Sequence, residues 1–236
     1  MLARGTRSAS MGPALLVALA LAATRAGAAD AFGVIEGRVE VLRQGLFGAA
    51  APGDPSGVIV YVTGFTRPAP AGDEQLEQQN EQFHPRILPI VAGQAVTFPN
   101  RDRIYHNVFS VSPVHSFDLG QYRSSDAPKS ERFDTPGLVP VYCNIHPSMI
   151  AYVAVLENDA FARSGPDGRF RIERVPAGER VVQAFVPGAQ RVSQTLVVEA
   201  GRVHELVLTL EAGRIAPHTR KDGSAYPRPG SDLERP

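Results

Sequence analysis

A thiol, an imidazole and a thioether recur at three-residue intervals in Val141-Tyr-Cys-Asn-Ile-His-Pro-Ser-Met149, directly after an apolar run. A tight loop can turn Cys143, His146 and Met149 toward one point. Upstream, Tyr105-His106-Asn107-Val108-Phe109 begins another strand-forming run. The 37-residue separation of His106 from Cys143 leaves room for an excursion that returns to a neighbouring strand. One His from a strand and a Cys-His-Met loop make four donors. Two imidazoles, a thiolate and a weak axial thioether are the ligand set of an electron-transfer copper site. Structural zinc prefers four strong donors, among which a thioether is a poor choice. Iron–sulfur clusters need several thiolates, and the chain has one cysteine.

Taken singly, each residue has a plainer role. Met149 alone reads as a core gap-filler, His106 as a hydrogen-bonded core histidine and Cys143 as a small buried hydrophobe. Their joint occurrence at workable spacing favours a shared ion. The other histidines have no acid or thiol at metal spacing. His84 lies beside Pro85 in a loop, His115 in a turn, His204 at an exposed strand start and His218 in the C-terminal stretch. Only His115, between His106 and Cys143, is a spare donor.

The elements that must position these groups are strands. Short β-branched and aromatic runs recur between Gly, Pro and Asp punctuation, the pattern of an all-β sandwich. The pattern predicts strands over 33–42, 58–64, 86–91, 95–99, 106–110, 130–134, 139–142 and 151–157. Residues 66–82, rich in Pro and Gln, predict an exposed excursion with one short helix near Glu74 to Gln79. A second set of strands follows Asn158, over 170–172, 181–186, 193–198 and 204–210, with Asp167-Gly168 suited to a tight turn. Four strands are about the minimum that can bury a core, so this small sandwich is expected to lean on the first. Residues 213–236 mix Pro, Gly and charges without periodicity and predict a disordered tail.

The N-terminus carries Arg4 and Arg7, an apolar run from Pro13 to Ala23, and then Ala26-Gly27-Ala28, the layout of a cleaved export signal over residues 1–28. Cleavage after Ala28 would remove Arg4, Arg7 and Arg25 and no acid. That leaves 21 basic against 24 acidic residues, a formal charge of −3 over 208 residues. Such a balance points to no nucleic-acid partner, and the apolar run is too short for stable membrane insertion. A lone Cys143 in an oxidising compartment has no internal disulfide partner; a metal that caps it would explain its survival.

The segments His106-Asn107-Val108 and Cys143-Asn-Ile-His146-Pro147-Ser-Met149 resemble the two ligand segments of the cupredoxin (blue copper) family, with the short loop nearest the amicyanin type. Gln82 to Asn100 and Phe117-Asp-Leu-Gly120 are similar to bacterial exported plastocyanin-like and methylamine-utilisation proteins. The resemblance is strongest from Phe83 to Leu156. It implies a cupredoxin Greek-key sandwich over 29–157 and one type 1 copper site. His106, Cys143 and His146 would form the ligand plane, and Met149 the axial position. Asn107 would tie the His106 strand to the cysteine loop by hydrogen bonds. Asp167-Gly-Arg-Phe-Arg-Ile-Glu-Arg-Val-Pro-Ala-Gly178 resembles the carboxypeptidase regulatory-like sandwich, a non-catalytic module, here over 158–212.

The function implied is one-electron transfer by a periplasmic or secreted protein. A redox partner protein would dock through a transient interface near His146, where Ile145 and Pro147 supply apolar surface. The alternative is a periplasmic copper carrier or buffer. Carriers often have Met-rich or His-rich tracts, whereas Met1, Met11 and Met149 are the only methionines here. Catalysis fits less well. A multicopper enzyme would need further histidine clusters, and no His-x-His occurs. A cysteine hydrolase with His146 as base would leave His106 and Met149 unused.

Overall fold

The computed structural model describes residues 31–44 and 50–227, so the expected export signal and the last residues of the expected tail lie outside the described residues. The described residues hold strands and no α-helix, as the punctuated β-branched runs predict. Three strands come first: β1 (Phe32–Gln44), β2 (Ala50–Pro52) and β3 (Ile59–Thr63). Ten follow that build the site: β4 (Glu74–Gln75), β5 (Glu77–Gln79), β6 (Gln82–His84), β7 (Ile87–Val91), β8 (Gln94–Phe98), β9 (His106–Val111), β10 (Ser116–Tyr122), β11 (Lys129–Phe133), β12 (Gly137–Tyr142) and β13 (Ile150–Leu156). The last are β14 (Phe161–Arg163), β15 (Arg169–Pro176), β16 (Gly178–Phe185), β17 (Val192–Val198) and β18 (Val203–Ala212).

The site is carried by a five-stranded sheet in the order β10-β9-β12-β13-β7, facing a three-stranded sheet, β11-β8-β4. Strand alternation makes the core between them. On β8, Val96 and Phe98 point inward, and on β12 Val139 and Val141 do. They meet Val108, Phe133 and Val153 in one cluster that also contains Cys143 and Met149. The polar stretch around Glu74 to Gln79, expected to hold a short helix, is extended instead. Its β5 pairs antiparallel with β6, because Leu76, Gln78 and Phe83 are buried against the sandwich and alternation suits a strand better than a helical turn.

The strands 32–44 and 59–63, expected in the first sandwich, hydrogen-bond with the C-terminal set. β1 runs parallel to β18 from Val34↔Val203 to Arg43↔Ala212, with β15 on its other edge. β3 lies between β14 and β16 in the opposing sheet. The physical reason is size. The C-terminal strands alone bury too little, and β1 and β3 supply Ile35, Val39, Val60 and Val62 to a core completed by Phe170, Ile172, Val182, Leu206, Leu208 and Leu210. The site-bearing sandwich is therefore inserted between β3 and β14.

The two sandwiches share a seam. β13 is buried on both faces: Ala151, Val153 and Val155 point into the first core, while Tyr152, Ala154 and Leu156 pack on Ile59, Tyr61 and Phe185 of the second. That is why its sequence reads as a continuous apolar run. At the Asp167-Gly168 turn, Gly168 has φ +78, and a Cβ there would come within 2.4 Å of the Val39 carbonyl oxygen. Only glycine accommodates both demands.

Candidate metal centre

β12 and β13 are antiparallel, so residues 143–149 close a hairpin loop between them. The loop is tied internally, by the Cys143 N–H to the Met149 carbonyl (3.2 Å) and the Met149 N–H to the His146 carbonyl (3.1 Å). Tyr142 lies in register with Phe109 of β9, which brings the start of β9, where His106 sits, beside Cys143. The Nδ1 atoms of His106 and His146 are 3.0 Å apart, and the Cys143 Sγ lies 4.0 Å from the first and 3.7 Å from the second. A point equidistant from these three atoms is about 2.1 Å from each, close to usual transition-metal bond lengths to imidazole and thiolate of about 2.0–2.3 Å. The donor set and the size of the triangle therefore suit a metal ion. The side chain of Met149 is fully buried in the core cluster that holds Cys143.

The groups around the triangle prepare it for a cation. Burial alone would raise the Cys143 pKa. Its contacts with the His106 and His146 rings, and hydrogen bonds from the backbone N–H groups of Asn107 and His146, outweigh that and bring it down to about 6. The Ile145 N–H adds a contact to Sγ at 3.4 Å. Burial disfavours charge on His106, but its contacts with Cys143 and Asp102 more than compensate and raise its pKa. Asn107 serves the sulfur through its main chain, while its side-chain amide turns away and donates to Asp118 at 2.7 Å.

Asp102 was not singled out by sequence. Its Oδ2 accepts from Nε2 of His106 at 2.8 Å. A carboxylate only accepts, so Nε2 carries a proton, and whenever His106 is neutral its lone pair is the one on Nδ1, facing the triangle. The carboxylate is held in turn by the Asn80 N–H (2.8 Å) and the Glu81 N–H (3.0 Å). Burial pushes the Asp102 carboxyl up, but the hydrogen bonds from Glu81, His106 and Asn80 together hold its pKa below the usual value. Asn80 and Glu81 have φ of 54° and 55°, the left-handed pair of a tight hairpin turn between β5 and β6. The polar excursion thus supports the His106 side of the site. A signal was present: an acid four residues before His106, and an Asn in a short polar stretch between two buried residues.

The other histidines lie outside the cluster. His115 Nε2 pairs with Glu131 at 2.8 Å, so the spare donor is engaged elsewhere. His84 ends β6, His204 accepts from the Glu199 N–H at 2.9 Å, and His218 stacks on Tyr142 with ring centroids 4.2 Å apart. Among the described residues, His106, Cys143 and His146 form the one group of three His, Cys or acidic side chains placed to share an ion.

No family model matches the chain. Over 89 residues it is 34% identical to amicyanin-alpha of Methylorubrum extorquens, a match that spans 37% of this chain and 75% of that protein. Among solved structures, it is similar to a purple cupredoxin from Nitrosopumilus maritimus at 23% identity. That match covers 36% of this chain and 100% of the other, with a TM-score of 0.32. A reduced amicyanin variant is similar at 24% identity over 36% of this chain and 83% of its own, with a TM-score of 0.34.

Proposed function

This chain belongs to the amicyanin family of cupredoxins, and from that premise we propose that it is an exported type 1 copper protein that passes single electrons to and from a partner protein. His106, Cys143 and His146 would hold the ion, with Met149 as a fourth, weaker thioether donor. The observation that carries the proposal is the triangle of two imidazole Nδ1 atoms and one thiolate, closed by edges of 3.0, 3.7 and 4.0 Å at a buried end of a β-sandwich. Bound copper would supply a one-electron couple.

The chain's own residues then do four things. Asp102 keeps the His106 tautomer that turns Nδ1 inward. The N–H groups of Asn107, Ile145 and His146 stabilise negative charge on Sγ. The hydrogen bonds within residues 143–149 and the packed cluster beneath them keep the donors in place as charge on the site changes. His146 is partly exposed between exposed Ile145 and exposed Pro147, which offers a small apolar contact for a transient redox partner next to a donor.

Residues 1–28 are assigned to the cleaved export signal, which implies a periplasmic or secreted protein. The copper-binding unit is assigned to the inserted sandwich up to residue 157. The second sandwich, of carboxypeptidase regulatory-like character, is assigned to 158–212 completed by β1 to β3. Visible absorption and electron paramagnetic resonance during Cu(II) titration of the chain from Asp30, beside Cys143→Ser, test the function. An intense thiolate-to-copper band with narrow hyperfine splitting, absent in Cys143→Ser, is expected. A spectrum indifferent to that substitution refutes it.

A further inference from the structure

The stretch after β18, expected to be disordered, returns across the metal loop. Tyr226 donates its hydroxyl to the Cys143 carbonyl at 2.6 Å. A phenol has one hydrogen, so the 2.9 Å contact between Tyr226 Oη and His218 Nε2 is a bond donated by His218. The His218 ring stacks on Tyr142, the residue before Cys143, with an interplanar angle of 21°. Between them, the Lys221 N–H donates to Oδ1 of Asn144, a buried residue, at 2.8 Å. Lys221 Nζ reaches Asp118 Oδ2 at 2.5 Å, and Asp118 Oδ1 accepts from the side chain of Asn107. The stretch is shaped for this by its own turn, in which the Gly223 N–H bonds the Arg220 carbonyl and the Arg220 N–H bonds the Ser224 carbonyl, each at 2.9 Å.

We propose that residues 218–226 are a strap that positions the metal ligands from outside the sandwich, with Tyr226 and Lys221 as its positioning residues; the inference rests on the copper reading. The strap touches both ligand segments. On one side it holds Tyr142, Cys143 and Asn144 directly. On the other, through Asp118, it holds Asn107, whose backbone N–H faces the sulfur and whose neighbour is His106. A single short segment thus couples the cysteine loop to the histidine strand. It acts through hydrogen bonds, one ion pair and a ring stack on the residues around the ligands.

The test compares the full mature chain with Tyr226→Phe and with a chain ended at Pro217, which keeps β18 whole. In the metal-free proteins, amide hydrogen exchange at residues 143–149 is expected to quicken about two- to tenfold in Tyr226→Phe, the factor for one lost hydrogen bond. It should quicken more in the shortened chain, with β8 and β13 unchanged. In the copper-loaded proteins, the thiolate-to-copper band and the reduction potential move in both variants. Exchange at 143–149 equal to wild type in both variants overturns the strap, and a band and potential equal to wild type in both overturn its positioning role. If the shortened chain loses protection throughout the sandwich, Tyr226→Phe decides by the same criteria. A wild-type chain that takes up no copper refutes the copper reading, and the metal-free exchange comparison still judges the strap.

Discussion

Asp102→Asn keeps the shape of the side chain that orients His106 and removes its charge. In the folded protein the two oxygens take three N–H groups, with Oδ2 shared between His106 Nε2 and the Glu81 N–H, and Oδ1 taking the Asn80 N–H. An amide has one acceptor oxygen. The better orientation places it at the Oδ2 position and turns the amide nitrogen toward the Asn80 N–H, which is exposed and can turn to water. For His106 the change is one charge-assisted hydrogen bond replaced by a neutral one, a loss of about 1 kcal/mol, while the Glu81 bond weakens in the same way and the Asn80 bond is given up in both metal-free and metal-bound protein. An imidazole that carries a metal has a more acidic N–H, so this loss falls more heavily on the metal-bound state. Copper affinity is expected to drop by up to about fivefold in Asp102→Asn, the full factor for about 1 kcal/mol. In Asp102→Ala, where nothing replaces the acceptor, the drop should reach the roughly 10–100-fold range seen for outer partners of ligating histidines. Competition with a chelator of known affinity reads both values, with urea unfolding as a check that the variants remain folded. Two folded variants that both bind copper within about twofold of wild type would refute the role given to Asp102.

Residues 158–212 expressed alone are expected to stay unfolded, because β1 and β3 are missing from the middle of both sheets. Narrowly dispersed proton resonances would bear this out, and a well-dispersed spectrum would contradict it. Asp118 also makes stability depend on pH. Burial pushes the Asp118 carboxyl up, but the hydrogen bonds from Lys221, Asn107 and the Gly120 N–H outweigh it and depress its pKa. A depressed folded pKa contributes stability that is present above the unfolded value of about 3.9 and lost as pH falls through the folded value. The stability gap between wild type and Asp118→Asn should thus be level near neutrality and shrink as pH falls below about 4. With side chains 40% and 43% exposed, the Asp118–Lys221 pair keeps that gap below ~1 kcal/mol. A gap that widens on acidification would count against the pairing.

Most strands were legible because a half-buried strand writes itself as alternation, and a doubly covered one such as β13 as a continuous apolar run. His106, Cys143 and His146 were legible because their chemistry is rare and their spacing tight. Partnership was not legible. β1 has an inward-facing set that would serve either sandwich, and nothing local in Phe32 to Gln44 says that its neighbour is β18. β10 was not legible because its exposed and half-buried residues alternate weakly. Asp102 was legible only as an acid four residues before His106, because the N–H groups that hold it come from a hairpin turn some 20 residues away. The C-terminal stretch looked structureless because it docks through carbonyls, an amide and a ring stack. Such contacts need a finished surface to bind to and leave no periodicity of their own.

The insertion between β3 and β14 has a consequence for the order in which the protein is made. β1 leaves the ribosome early, yet its parallel partner β18 comes about 170 residues later. The inserted sandwich has all its strands within one continuous stretch and can close first. Meanwhile β1, paired only with β2 at its C-terminal end, and β3 wait with apolar residues uncovered until β14, β15 and β16 arrive. Once β14, β15 and β16 have paired with them, the β18 edge of β1 alone stays open to pairing with another chain until the last strand arrives. Interrupted synthesis or a truncation before Val203 would therefore leave a nearly complete metal site attached to a sheet in which one long edge of β1 is open.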